Sequence, residues 1–178
     1  FQDIEHVLIP DNYEQTVDAL RKSTSEADMI ILSGGISVGD YDFVQRALNE
    51  IDVEQIFYKV NQKPGKPIYF GRLGNKLIFA LHGNPAAALT SFYLNSLPAL
   101  NQLTGEDFEG CAKTELPISI AHKKKGKRTE ILKAFATDIE VKILGAQSSA
   151  MLSSFSNANA LVVIPDDISE VDKGEFVL

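Results

Sequence analysis

The stretch Ser33-Gly34-Gly35-Ile36-Ser37-Val38-Gly39-Asp40-Tyr41-Asp42 decides how the first half of this chain folds. It follows Met29-Ile30-Ile31-Leu32, an apolar run typical of a buried strand. Apolar residues then recur at helical spacing from Phe43 to Leu48. The predicted order is strand, glycine-rich turn, helix, in which glycines let the backbone approach a ligand closely and helix N–H groups suit a phosphate or another oxyanion.

Polar side chains within this turn fit the same chemistry. Ser33 and Ser37 add hydroxyl donors. Asp40 and Asp42 repel a bare phosphate, but they could hold Mg²⁺ beside one. A glycine-rich turn is weak evidence alone, so a tight structural turn with a capping Asp stays open as the alternative.

Composition restricts the class of protein. The chain has 178 residues, 44% of them hydrophobic and 23% charged, with a net charge of −7. An acidic balance argues against general nucleic-acid binding. The lone cysteine, Cys111, favours a reducing, cytoplasmic compartment. No apolar run approaches the ~20 residues needed to span a bilayer. The first residue, Phe1, is not Met, which fits a fragment or a processed piece.

The first half of the sequence predicts an α/β fold. Glu5 to Ile9 resembles a strand, and a helix capped by Asp11 follows it before the strand at Met29. Because a β-α-β-α order favours parallel strands joined by right-handed crossovers, we expect a mostly parallel sheet.

A stiff loop carries two lysines. The predicted strand Val53 to Val60 ends in a loop that contains Lys63-Pro64-Gly65-Lys66-Pro67. The prolines restrict the backbone and Gly65 permits a left-handed turn. Rigid placement of two ammonium groups suits an anion site, because little entropy is lost on binding. An ordinary solvated turn is the alternative.

A second strand-turn-helix edge lies at Leu81-His82-Gly83-Asn84-Pro85. Asn84 is a good N-cap, and Pro85 suits the first position of a helix that we expect to run to about Leu97. The alternative is a well-capped structural helix. We expect the two helix starts and the lysine loop to converge on one anion-sized cleft.

The composition changes after a polar, glycine-rich linker near residues 104–110. We place one domain at residues 1–105 and a second at residues 111–178. The second consists of short predicted strands, which favours a small β-barrel or sandwich. The basic run His122 to Arg128 is interpreted as a solvated hairpin turn rather than a nucleic-acid patch.

Three motifs in this order, Ser33 to Asp42, Lys63 to Pro67 and Leu81 to Pro85, resemble molybdopterin molybdenumtransferase. This is the MoeA family, which includes the E domain of gephyrin. The tail from Gln147 to Leu161 resembles the C-terminal β-barrel domain of that family. The resemblance implies a C-terminal fragment: an incomplete molybdopterin-binding α/β domain followed by a small barrel.

The resemblance also implies an activity. Members of this family bind adenylylated molybdopterin and use Mg²⁺ and molybdate. They insert molybdenum into the dithiolene and release AMP. The family implies a homodimeric full-length protein in the cytoplasm, with an adenylyltransferase of the MogA type as a partner. From the acidic composition and the short apolar runs, we expect neither nucleic acid nor a membrane as a partner. We therefore expect this chain alone, without the rest of the protein, to be inactive.

Site roles carry over by motif. The resemblance implies that Asp40 and Asp42 lie near the Mg²⁺ or the pyrophosphate linkage, and that Lys63 and Lys66 face molybdate or the pterin phosphate. It implies that molybdate is approached by Ser149 and Lys133. The pocket for the pterin nucleotide would be lined by Ser33, Gly34, Gly35, Ser37, Gly39, Gly83 and Asn84.

Three departures from the family pattern bear on the pocket. His82 stands where the family usually has Pro, Ala87 where some members have Ser, and Lys133 where Arg is expected, which loses bidentate anion geometry. Two other functions stay open: a MogA-type adenylyltransferase, which would lack the tail, and a gephyrin-like scaffold that binds receptor peptides.

Overall fold

The computed structural model describes residues 3–36, 43–106, 111–145, 147–148 and 152–178. The first half combines one sheet with helices. The elements of this first half are α1 Tyr13–Glu26, β1 Met29–Ser33, α2 Phe43–Glu50, β2 Glu54–Tyr58, β3 Gln62–Lys63, β4 Tyr69–Leu73, β5 Lys76–Leu81, α3 Pro85–Ser91, a π-helical segment Phe92–Ser96 and α4 Leu97–Leu103. No described helix is long and apolar enough to cross a membrane.

The sheet of the first half is mixed. Its strand order is β1-β5-β4-β2, and β1 runs parallel to β5. The pairs β5–β4 and β4–β2 are antiparallel. The expectation of a mostly parallel sheet is therefore wrong for the described strands. The cause is the short turn at Gly74 and Asn75, since so short a connection joins only antiparallel neighbours.

The first predicted strand is also absent. Residues 5–9 form no strand in the described structure. Ile4 and Leu8 are 87% and 86% exposed. A strand needs a neighbouring backbone to accept and donate its hydrogen bonds. Without such a neighbour, the apolar run from Val7 to Ile9 has no sheet to join.

The N-cap of helix α1 lies one residue later than predicted. Asn12, not Asp11, is the N-cap, and its side-chain oxygen accepts a hydrogen bond from the backbone N–H of Gln15 at 3.0 Å. The helix ends at Glu26. Val17 and Leu20 are buried in one core cluster with Leu48 of α2. This packing fixes both helices on the sheet that carries the glycine turn.

The second half is built of short strands. Its elements are β6 Leu116–Pro117, β7 His122–Lys123, β8 Thr129–Ala136, β9 Val141–Ile143, a 3₁₀ turn Leu152–Phe155, β10 Ala160–Ile164, β11 Glu170–Val171 and β12 Phe176–Val177.

These strands form an open sheet and two ribbons. Strand β8 pairs with β10 on one edge and with β9 on the other, while β11 pairs with β7 and β12 with β6. None of the sheets in the described residues closes on itself, so the predicted barrel is not confirmed. His122 and Lys123 lie in β7, so the interpretation of that run as a solvated turn is wrong at its start.

A short parallel ladder joins the two halves. Gln62 pairs with Thr129 and Lys63 with Glu130, so β3 adds to the sheet of the second half. Each half also has its own cluster of buried apolar side chains. The division into domains at residues 105 and 111 stays a prediction.

Replacing Asn12 by Ala should lower the free energy of unfolding by about 0.5–2 kcal/mol, because the Gln15 N–H loses its acceptor. Chemical denaturation of both variants measures it. Asp11→Ala is the matched control and should have a smaller effect. A larger loss for Asp11→Ala would contradict the assignment of the cap.

Candidate functional site

The two glycine-containing turns lie side by side. Strands β1 and β5 are parallel neighbours, so their carboxyl ends reach the same edge of the sheet. There, the N–H of Gly34 donates to the carbonyl of Leu81 at 3.1 Å. A Cβ placed on Gly83 would lie 3.4 Å from the Cα of Gly34. The structure thus brings Gly34 and Gly83 together, with Ser33 exposed beside them.

The first glycine turn has the predicted backbone. Gly34 and Gly35 have φ of +99° and +67°. A Cβ on Gly35 would meet the side chain of Val44 at 2.5 Å, so α2 lies directly against the turn. The remaining residues assigned to this stretch, which are Ser37, Gly39, Asp40 and Asp42, lie outside the described residues.

The second turn is capped as expected. The Asn84 side-chain oxygen accepts from the N–H of Ala87 at 3.3 Å, and Pro85 is the first residue of α3. His82, which departs from the family pattern, accepts the N–H of Asn84 on Nδ1 at 2.8 Å. The helix continues through the π-helical segment to Leu103, beyond the predicted end near Leu97.

The lysine loop packs against α3. Gly65 is buried, with φ of +82°. A Cβ there would lie 2.5 Å from Ser91 Oγ and 3.6 Å from the carbonyl of Ala87. The predicted left-handed turn is confirmed, and it allows the loop to approach α3, the helix that Asn84 caps. The three motifs are therefore linked through β5 and α3.

The two lysines of this loop differ in their surroundings. The Nζ of Lys63 lies 3.5 Å from Oε1 of Glu130, and the lysine side chain is half exposed. Lys66 is exposed, and its ammonium group has no hydrogen bond or ion pair with the described part of the chain. Of these two lysines, only Lys66 has no charged partner among the described residues.

A buried lysine lies on the adjacent sheet. Lys133 of β8 is 5% exposed. Its Nζ donates to Ser154 Oγ at 2.5 Å and to the carbonyl of Ser148 at 3.3 Å. Gln147 fixes its backbone by accepting the Lys133 N–H at 3.0 Å.

No carboxylate in the described ranges pairs with this ammonium group. Its Nζ also lies 5.4 Å from the centre of the Phe155 ring. Burial lowers the pKa of Lys133 below the ordinary lysine value, because the charged form loses its hydration. The local environment is suited to an anion, which would supply the missing counter-charge.

Sequence reasoning missed Glu130. Its carboxyl group is buried, 5% exposed, and His122 Nε2 donates to Oε2 at 3.0 Å. Burial alone raises the pKa of Glu130, but the hydrogen bond from His122 and the charge of Lys63 lower it below the ordinary value. The available signal was the presence of two charged residues, Glu130 and Lys133, in the otherwise mostly apolar strand Thr129–Ala136.

A metal site is not found among the described residues, since no group of three His, Cys, Asp or Glu side chains there could hold an ion. The candidate ligands Asp40 and Asp42 and the candidate molybdate residue Ser149 lie outside those ranges.

Comparison with known proteins gives the class to which this arrangement belongs. Residues 1–102 match the family described as probable molybdopterin binding domain. Residues 115–178 match the MoeA C-terminal region, domain IV. The chain therefore belongs to the MoeA family, whose named members act in molybdenum cofactor biosynthesis.

Several relatives are similar along most of this chain. The molybdopterin molybdenumtransferase of Haemophilus influenzae is 34% identical over 96% of this chain and 43% of its own length. Gephyrin of Dictyostelium discoideum is 32% identical over 96% of this chain and 27% of its own. The molybdenum cofactor biosynthesis protein of Pyrococcus furiosus has a TM-score of 0.73 at 26% identity, covering 95% of this chain and 54% of its own. The chain thus spans less than half of the curated relatives named here.

Replacing Gly65 by Ala should destabilise the chain by about 1–3 kcal/mol, because alanine disfavours this φ and its Cβ collides with Ser91 Oγ. Chemical denaturation measures the loss. Adding Ser91→Ala should restore part of the stability by removing the collision. Gly145→Ala, where the added Cβ meets nothing within 4 Å, is the control. An unchanged stability for Gly65→Ala would contradict the packing.

Replacing Lys133 by Met should raise the free energy of unfolding at neutral pH by about 1 kcal/mol, since it removes a buried charge without a carboxylate partner. The difference in free energy of unfolding between Lys133→Met and the wild type should shrink as pH rises. The lowered pKa means that the unfolded chain binds more protons, so the wild type gains stability as pH increases towards the ordinary lysine range.

Denaturation at pH 7 and pH 10 checks both statements, with Lys142→Met, an exposed lysine of β9, as the control. A marked loss of stability for Lys133→Met at pH 7 would contradict them.

Proposed function

We propose that this chain forms part of the site at which a molybdopterin molybdenumtransferase inserts molybdate into adenylylated molybdopterin and releases AMP. The observation that carries the proposal is the buried Lys133 ammonium group. Buried charges in proteins are normally paired, and this one has no carboxylate partner in the described ranges. A dianion such as molybdate would complete the pairing.

The surroundings of Lys133 favour an oxyanion. An ammonium group has three N–H donors, and the described contacts use two of them, to Ser154 and Ser148. Within the described residues, the third N–H is left for an anion oxygen. Ser149, next to Ser148 in sequence, is a further proposed contact. Lysine acts here as a point charge, without the bidentate fork that arginine would offer.

The turns and the lysine loop would hold the pterin nucleotide. Gly35 and Gly83 are exposed and Gly34 is half-buried, so backbone N–H groups at these turns remain open to a ligand. The exposed Lys66 has no ion pair with the described residues and offers its positive charge to a phosphate group. Lys63 adds to the local potential despite its ion pair. Such local cations are needed because the chain as a whole is acidic.

Magnesium is part of the proposal. Asp40 and Asp42 would hold the ion, with Ser37 and Gly39 in the same turn. Bound Mg²⁺ would neutralise negative charge at the phosphate linkage and so assist the departure of AMP. The chain itself supplies binding and orientation of both anions, and no side-chain nucleophile is required.

The assembly of the whole protein belongs to the same proposal. We expect a homodimeric full-length protein in the cytoplasm that receives adenylylated molybdopterin from a MogA-type adenylyltransferase. The match to the MoeA C-terminal region supports the transferase over the adenylyltransferase alternative. We also expect residues 111–178 to act as the separate C-terminal domain.

The test is a molybdate-insertion assay on the full-length protein. Asp42→Ala and Lys66→Ala should each lower activity about 100-fold, because each removes one charge from the reacting region. Lys173→Ala, in an exposed turn, is the control and should retain activity. Unchanged activity in both test variants would remove the proposed roles. A protein that binds a receptor peptide but transfers no molybdenum would instead be a scaffold.

A further inference from the structure

The lysine loop is fastened to the second half at its first residues. The N–H of Thr129 donates to the carbonyl of Asn61 at 3.1 Å. The Arg128 guanidinium donates to the carbonyl of Gln62 at 3.3 Å. The Asn61 side chain donates to Asp166 at 2.8 Å. These contacts and the β3–β8 ladder fix the segment immediately before Pro64.

Glu130 adds an ionic contact at the same place. The ladder aligns Glu130 with Lys63, and the ammonium lies 3.5 Å from Oε1. The second oxygen, Oε2, accepts from His122 at 3.0 Å. The glutamate side chain is 6% exposed, whereas that of Lys63 is 50% exposed. The buried partner is therefore the fixed one, and the lysine is held by it.

The same strand carries the candidate molybdate residue. Lys133 follows Glu130 by three residues, which corresponds to about 10 Å along an extended strand. One rigid strand thus sets the position of the loop and of the buried ammonium group. A lysine that is already paired with a carboxylate offers less charge to a ligand than one without a partner.

We propose that Glu130 is a positioning residue: it anchors Lys63, and through it the lysine loop, at a fixed place relative to Lys133. This inference rests on the proposed molybdate insertion for its effect on activity. Lys63 is then an anchor, and Lys66 is the lysine of this loop that contacts the anionic ligand. His122 occupies the other oxygen and keeps the carboxylate oriented towards Lys63.

The structural part of the proposal is tested on this chain without any substrate. Glu130→Gln and Lys63→Gln should each speed hydrogen exchange at the Thr129 amide, about tenfold, because the ladder beside it loses its ionic contact. The double variant should exchange no faster than either single variant. Lys66→Gln is the matched control and should leave exchange unchanged.

The functional part is tested on the full-length protein in the insertion assay. Glu130→Gln and Lys63→Gln should each lower kcat about 10- to 100-fold through misplacement of the loop, with little change in KM for molybdate. Their effects should not add. Lys66→Gln should instead raise KM for adenylylated molybdopterin, and its effect should add to that of Glu130→Gln.

Additive effects of Glu130→Gln and Lys63→Gln on exchange would overturn the anchor. If Glu130→Gln fails to fold, Lys63→Gln and His122→Gln provide the same measurements of exchange and kcat. Lys63 is half exposed, so its substitution should be tolerated. Coupled exchange without any insertion activity in the wild type would count against the proposed function while supporting the anchor. Full kcat in a folded Glu130→Gln protein would overturn the positioning role.

Discussion

The segment from Asn61 to Lys66 is held on two sides, and the geometry of the candidate site depends on that. On one side, Gly65 packs against Ser91 of α3, so closely that no Cβ fits. On the other side, the β3–β8 ladder and the Glu130 carboxylate fix Lys63. The loop therefore joins the glycine turns of the first half to the strand that carries the buried Lys133.

Features set by local chemistry were predictable from the sequence. The left-handed turn at Gly65 and the positive φ of Gly34 and Gly35 follow from residues that tolerate such backbones. The cap at Asn84 follows from a short polar side chain before a proline. Even for these local features the predicted position can be wrong by one residue, since Asn12 rather than Asp11 caps α1. Two adjacent polar residues compete for one cap, and their letters alone do not decide between them.

Features set by distant partners were not predictable. The β3–β8 pairing joins residues more than 60 positions apart, and two residues are too few to show a strand pattern. The segment Glu5 to Ile9 ends in an apolar run that resembles a strand, but it finds no neighbouring strand in the described structure. The ion pair of Lys63 and the burial of Lys133 likewise arise from tertiary packing, which separates two lysines that look equivalent in sequence.

The most direct measurement of the central claim is the location of an oxyanion in a crystal. Tungstate has the charge and shape of molybdate and is located by its anomalous scattering. The account predicts tungstate within hydrogen-bonding distance of the Lys133 ammonium group, and its loss from crystals of Lys133→Met. Tungstate bound at another place, with Lys133 still unpaired, would contradict the account.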